Sequence, residues 1–312
     1  MKRKTLSAPL AGVTLKQLRT LAAVIREGSN AAAATSLNVT PPAIALQLKA
    51  IEEAAGVPLI ERGGGRLAPT VAGEELLACI ARVENTLADC AEIMRTLRDG
   101  EGGRVSVGVV STAKYFAPRA FAAFSRQHPA IEMDLFVGNR AEIVDELKRF
   151  GRDVVIMGRP PDHLDLVTAS IGPNPHIVIA APSHPLVGKR GLNLAALANE
   201  KWLVRENGSG TRLLMERVFD ANGFQPSIGM EIGSNETIKQ AVMAGLGVAF
   251  ISAHTVSLEF TARQLAALDV KSLPAMRNWF AVRMAEKRLL PAAELLWDYL
   301  TTRGRDFLPR LT

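Results

Sequence analysis

A chain of 312 residues with 48% hydrophobic and 22% charged content is long enough for two or three domains with real cores, and it has the balance of a soluble globular protein. No apolar run approaches the roughly 18 residues of a membrane span, and the basic start is interrupted by Lys16, Gln17 and Arg19 too early for a signal segment. Two cysteines, Cys79 and Cys90, form neither a disulfide framework nor a zinc set, so the expected location is the cytoplasm. Of the net charge of +6, the first 70 residues carry +5, which points to a polyanionic partner for that segment alone.

Residues 1–13 read as a disordered lead. Thr14 can cap a helix whose apolar residues Leu15, Leu18, Leu21, Ala22 and Ile25 follow the helical period, and Gly28 ends it. Ser29 or Asn30 then caps the alanine-rich helix Ala31 to Ser36, and Leu37 and Val39 plug the space between helices. Thr40 caps the next helix, with Pro41 in its first turn. Ile44, Leu48 and Ile51 form its buried stripe, which leaves Thr40, Pro42, Ala43, Gln47 and Lys49 outside it or at its edge. Two short helices joined by a tight turn have the shape that lays a helix into a DNA groove. Asn30 and Pro41 are counted with this surface.

Glu61 to Leu67 reads as a glycine hairpin, Gly63-Gly64-Gly65, with Arg62 and Arg66 on either side. It is either a wing whose arginines reach phosphates or a minor groove, or a surface loop with two solvated arginines. From Thr70 to about Arg98 a long helix is expected. Its residues Leu76, Ile80, Val83, Leu87, Cys90, Met94 and Leu97 recur at spacings of 4, 3, 4, 3, 4 and 3, an a/d seam that calls for a partner helix. Cys90 in that seam reads as a small hydrophobe, with a redox switch as the alternative. Residues 99–103, Asp-Gly-Glu-Gly-Gly, make a linker.

From Arg104 strands and helices alternate, which argues a parallel α/β sheet. The expected strands are Val105 to Val110, Ile131 to Val137, Val154 to Met157, His176 to Ala181, Trp202 to Arg205, Ile228 to Ile232, Val248 to Ser252 and Asn278 to Met284. The expected domains are a helix-turn-helix segment with its glycine hairpin over 1–69, a dimerisation helix over 70–103, and a two-lobed α/β clamp over 104–312. Its lobe 1 is about 104–162 with 275–302, and its lobe 2 about 163–274, with crossovers near Arg159 to Leu166 and Leu268 to Arg277.

In such a clamp, strand ends and helix starts converge on the cleft, where free N–H groups, hydroxyls and arginines suit a small anion. The loops concerned carry Ser111, Thr112 and Lys114; Asn139 and Arg140; Arg159; Arg205, Ser209, Thr211 and Arg212; and Asn235 and Thr237. Each Ser, Thr or Asn can also serve only as its own helix cap. No cofactor is expected. Ser209-Gly210-Thr211 lacks the Gly-Lys-Ser/Thr of a P-loop, and Gly245-Leu246-Gly247 opens a strand rather than a helix. The histidines are scattered without metal-ligand spacing, with His176 and His254 the candidates for the cleft or for strand ends. No catalytic constellation is found, which argues against an enzyme. A transport solute-binding protein is the other rival, opposed by the seam helix.

The N-terminal pattern resembles the LysR-type transcriptional regulators. The residues that carry it are the alanine-rich helix, Leu37 through Ala43, Gln47, Ile51 to Glu53, Gly56 to Leu59, Arg62, and Leu67 through Thr70 to Gly73. The second half is similar to the regulators of Calvin–Benson–Bassham operons in Gly138-Asn139-Arg140, Ile156 to Pro161, Glu206 with Gly208 to Arg212, Gly229 through Ser252, and Lys287 to Pro291. The resemblance implies a winged helix-turn-helix, a dimerising linker helix, a periplasmic-binding-protein-like effector domain, and a homotetramer on bent promoter DNA. It further implies control of carbon dioxide fixation genes, activation with negative autoregulation, contact with RNA polymerase, and an effector such as a sugar bisphosphate, phosphoenolpyruvate or NADPH. A regulator of another pathway is the alternative. The family commonly has Ser where this chain has Ala45, which removes one phosphate or base contact.

Overall fold

The computed structural model describes Leu10 and residues 12–63, 66–99 and 102–309, with backbone alone for 63, 92 and 96–99. The lead over residues 1–9, Gly64, Gly65 and the side chain of Leu97 therefore lie outside the described residues. The chain divides into two compact units, residues 1–90 and 91–312.

The first unit begins with α1 (Leu15–Glu27), α2 (Asn30–Ser36) and α3 (Pro41–Ala55). Thr14 forms a capping box with Gln17, and Gly28, at φ 76°, ends α1 in the left-handed conformation. Ser29, rather than Asn30, caps α2. Thr40 stands at the N-cap of α3 but makes no side-chain cap bond. Pro41 and Pro42 have no N–H to offer its hydroxyl, and the Ala43 N–H donates to the Thr40 carbonyl at 3.0 Å instead. Two strands, β1 (Ile60–Gly63) and β2 (Arg66–Pro69), pair antiparallel into a hairpin, and α4 (Val71–Asp99) follows. The core is Leu21, Val24, Ala33, Ala34, Ile44, Leu48, Ile51, Leu59, Leu76 and Ile80. Alanines at the contact let the short helices approach closely.

The second unit starts with β3 (Gly103–Val110), α5 (Ala117–Gln127), β4 (Ile131–Gly138), α6 (Arg140–Lys148) and β5 (Val154–Met157). Then come β6 (Leu166–Ala180), β7 (Lys201–Arg205), α7 (Gly210–Ala221), β8 (Ser227–Ile232), α8 (Asn235–Met243), β9 (Ala249–Ser252), α9 (Ser257–Thr261) and β10 (Ala266–Leu268). β11 (Ala275–Met284) and α10 (Pro291–Arg303) return the chain to the first lobe. The sheet is mixed rather than parallel: β3 runs parallel to β4 and β5, whereas β11 is antiparallel to both β5 and β6.

The largest departure from the sequence expectation is β6. It runs unbroken from Leu166, so the segment 166–175 belongs with the first lobe and the crossover lies near His176. Gly172, Pro173 and Pro175 read as strand breakers. Along this half β6 pairs with β11 on one side, and a proline is tolerated on an open edge. Beyond His176, β6 is joined by β9 and β10. β7 reaches β9 through the Trp202–Val248 bridge.

Strand alternation divides the second lobe's core. Trp202 and Val204 pack under Phe219 of α7, while Leu203 faces Ile238 and Val242 of α8. The first lobe is centred on Phe116, Phe124, Ile143, Ile156, Trp279 and Leu296.

Candidate functional site

The first candidate surface is the outer face of α3. Thr40, Pro41, Pro42, Ala45, Leu46 and Lys49 are exposed, and Ala43 and Gln47 are half-buried at the edge. Gln47 is fixed from behind. The hydroxyl of Thr20, a buried α1 residue, donates to Gln47 Oε1 at 2.6 Å and lies 3.0 Å from the Lys16 carbonyl. Thr20 was not anticipated from sequence, because a threonine within an apolar helix face reads as core. Lys49 lies 3.7 Å from Glu53 one turn on. Asn30 turns its side-chain oxygen inward without a hydrogen-bond partner, so the expectation that it joins this surface is corrected in part. Arg62 is exposed on β1. Arg66 folds back over the end of α1, where a Cβ on Gly28 would meet its Nε at 2.5 Å. A guanidinium at a helix C-terminus is favourable, so Arg66 is not held out at the hairpin tip.

The expected seam of α4 splits in two. Leu76 and Ile80 are buried in the first unit's own core, and Val83 is half-buried. Leu87 is 45% exposed, Met94 is 60% exposed and Cys90 is also exposed. The hairpin and helix core claim the first two positions, which heptad spacing cannot reveal.

The second candidate is a cavity of about 700 Å³ between the lobes of the second unit. Eight of the expected residues line it: Ser111, Thr112, Asn139, Arg140, Arg159, Arg205, Ser209 and Thr211. The strand ends β3, β4, β5 and β7 bring them there, each handing over to a loop or helix start. Asn139 caps α6 in a capping box with Glu142. Ser209 stands at the N-cap of α7 but spends no side-chain bond on it, so its hydroxyl is left for the cavity.

Four expected residues lie elsewhere. Lys114 pairs with Glu236 at 2.7 Å, and Thr237 is an exposed residue in the first turn of α8. Arg212 is held by Glu216 and by the Arg205 carbonyl. Asn235 is buried and accepts from Arg205 Nη1 at 2.5 Å. It therefore orients a lining residue instead of lining the cavity itself. Helix-start loops have two sides, and spacing does not tell which side faces the cleft.

The cavity also takes in Asn174, Arg277 and Trp279, which sequence reasoning left out, and His176, a candidate for the cleft or for a strand end. Arg140 opens α6, and its Nε donates to the Arg159 carbonyl at 3.3 Å. Burial and the charge of Arg159 push the Arg140 guanidinium below its ordinary value, against the pull of Asp162. Two arginines thus share one corner, and the partner that Arg159 has, Asp162, is itself 85% exposed. Arg205 is 3% exposed and satisfied from within: Glu206 takes Nε and Nη2, Asn235 takes Nη1, and Ser111 Oγ lies 3.2 Å from Nη2. His176 Nδ1 lies 3.1 Å from the Asn174 carbonyl, and burial lowers its imidazole to about 4, so the ring is neutral near pH 7.

On one unit stands a helix-turn-helix with a β-hairpin; on the other, a two-lobed α/β fold encloses an arginine-lined cavity. Together they define a DNA-binding regulator with a ligand domain. Residues 15–74 match the model described as bacterial regulatory helix-turn-helix protein, lysR family, and residues 98–305 match the LysR substrate binding domain. The chain belongs to the LysR family and is a transcriptional regulator rather than an enzyme. It is 52% identical over 300 residues to the HTH-type transcriptional regulator CbbR of Xanthobacter flavus, covering 96% of this chain and 90% of that one. It is 40% identical over 299 residues to the RuBisCO operon transcriptional regulator of Allochromatium vinosum, covering 96% and 99%. The Synechocystis CcmR regulatory domain, solved in complex with 2-PG, superposes with a TM-score of 0.62 at 36% identity, covering 64% of this chain and 96% of that one. Among the described residues no helix is long and apolar enough to cross a membrane.

Proposed function

We propose that this regulator controls a RuBisCO operon and other carbon dioxide fixation genes in response to a small anionic metabolite bound between the lobes of its second unit. The observation that carries the ligand class is the corner formed by Arg140 and Arg159 beside the starts of α6 and α7, in a cavity also lined by Ser209, whose hydroxyl makes no cap bond. Oriented N–H groups, a hydroxyl and two partly desolvated guanidiniums favour a carboxylate or phosphate over a neutral solute. The relatives named for RuBisCO operons, and the 2-PG complex of a similar domain, support the target and the effector class.

α3 enters the major groove with Thr40, Pro42, Ala43 and Gln47, and Lys49 and Arg62 hold the phosphate backbone. The exposed run Leu87, Cys90 and Met94 on α4 pairs two chains, which then assemble as a dimer of dimers on promoter DNA in the cytoplasm and contact RNA polymerase. Ligand shifts the assembly only through unequal affinity for its arrangements on DNA.

The test is footprinting of the full-length protein on DNA upstream of a RuBisCO operon, with and without 2-PG, for the wild type and Ser209→Ala. The expected result is a protected region that changes extent with 2-PG. Ser209→Ala should keep the DNA contact but need roughly tenfold more ligand, the loss of one hydrogen bond to a charged group. No protection on that DNA would overturn the operon assignment. An unchanged ligand response in Ser209→Ala would overturn the placement of the anion.

A further inference from the structure

We infer that Leu46 is a base-reading residue that recognises the C5-methyl group of a thymine in the operator. The inference rests on the reading that α3 enters the major groove. The observation is a large apolar side chain in an unusual place: Leu46 is 70% exposed in the middle of α3. Ile44, Leu48 and Ile51 bury the opposite face, so the helix has no structural need for a leucine there.

The surroundings select the occupant. One helical turn to either side of Leu46 stand Pro42 and the half-buried Ala50, and Ala45 adjoins it, all without a hydrogen-bonding side chain. Lys49, on the same face, supplies positive charge. The first 70 residues carry +5 of the chain's net charge, and residues 15–74 match a DNA-binding family model. A polyanion is thus the surface that fits this face. In a major groove the one base-pair feature that an apolar side chain reads is the thymine methyl. Gln47 beside it, fixed from behind by Thr20, reads the hydrogen-bonding edge. Specificity at this helix is therefore divided between an amide and a methyl-sized apolar contact. The contact at Leu46 is neutral and leaves the salt dependence of binding unchanged.

The experiment uses the full-length protein and a duplex selected by it from randomised DNA. Each thymine of that duplex is replaced in turn by deoxyuridine, which removes the methyl and nothing else. Wild type, Leu46→Ala and Gln47→Ala are compared, and oligomeric state is followed by sedimentation. At one thymine per half-site the wild type should lose about fourfold in affinity, the worth of one buried methyl. Leu46→Ala should bind the parent duplex roughly five- to tenfold more weakly and be indifferent to that deoxyuridine. Its salt slope and its oligomeric state should equal those of the wild type. The inference is overturned if Leu46→Ala loses as much on deoxyuridine as on thymine, binds as well as wild type throughout, or dissociates into smaller assemblies. If Gln47→Ala still loses sequence discrimination in that case, α3 remains in the groove and only the role of Leu46 fails. If Gln47→Ala is also unchanged, the groove assignment itself fails.

Discussion

Thr20 is 1% exposed, and its hydroxyl lies between the Lys16 carbonyl and Gln47. A hydroxyl that holds an amide limits how that amide can turn, so Thr20 acts as a positioning residue for Gln47. Thr20→Val keeps the shape and removes the hydroxyl. It should lower discrimination between cognate and scrambled DNA several-fold, while the thermal midpoint of the protein falls by no more than a lost hydrogen bond of about 1 kcal/mol explains. Equal discrimination by variant and wild type in a binding titration would remove Thr20 from the reading apparatus. At this scale the sequence showed which loops feed the cavity, because a strand end followed by a helix start is a local pattern. It did not show Asn174 or Arg277, whose place in the cavity depends on how β6 and β11 are arranged in space. It also placed Lys114 in the cavity, although that ammonium is bound to Glu236.

Among the elements, α4 serves two masters. Its first turns complete the DNA-binding unit through Leu76 and Ile80, and its later residues Leu87, Cys90 and Met94 are left exposed. Gly73 allows the first of these roles. A Cβ there would collide with the Leu59 carbonyl oxygen at the approach to β1, and Thr70 ties the same corner by donating to the Pro58 carbonyl at 2.8 Å. Gly73→Ala should therefore destabilise the DNA-binding unit by about 1–3 kcal/mol, although alanine favours the helix. Chemical denaturation with a probe in residues 1–90 measures it, and a stabilised variant would show that the corner yields freely. α1 was legible because its Thr14–Gln17 capping box and its apolar period agree. β6 was half legible: its apolar end from His176 to Ala180 reads as a strand, while the glycine and prolines before it hide nine paired residues behind the rule for central strands.

For the effector unit as a whole, the lobes are joined by more than two crossovers. The Trp279 indole N–H donates to His254 Nδ1 at 3.0 Å, Ser252 Oγ donates to Asn174 Oδ1 at 2.7 Å, and the Ala141 N–H donates to the Gly208 carbonyl at 3.2 Å. Lys114 and Tyr115, after β3, both donate to Glu236 of α8. Burial raises that carboxyl's pKa, but the two hydrogen bonds and the charges of Lys114 and Lys239 more than offset it, and the net pKa is lowered. His254 can accept from Trp279 only while Nδ1 carries no proton, and burial lowers both His254 and His176 from 6.5 to about 4. The unfolded chain therefore binds more protons between these values. The stability these imidazoles contribute is complete above pH 6.5 and is lost as pH falls toward 4. The thermal midpoint should decline over that window, and replacing both histidines by glutamine should flatten the decline. An identical slope in the double variant would assign the acid sensitivity to other groups. None of these ties is local in sequence, which is why the strand and helix pattern gave no sign of them.

The ladder between β6 and β11 has one more consequence. It pairs Leu166 with Met284 at one end and His176 with Ala275 at the other. The second lobe thus leaves and rejoins the first at directly opposed residues of one ladder, which makes it an insertion carried on a two-stranded stalk. The two lobes do not stand as equals: the first is a host whose sheet would close as a plain hairpin if the guest were absent, and the guest has no sheet centre without the far end of the host's own strand. An evolving lineage can accordingly exchange or reshape the guest to suit a new metabolite without rewiring the host, since both ends of any replacement are already held a strand's width apart.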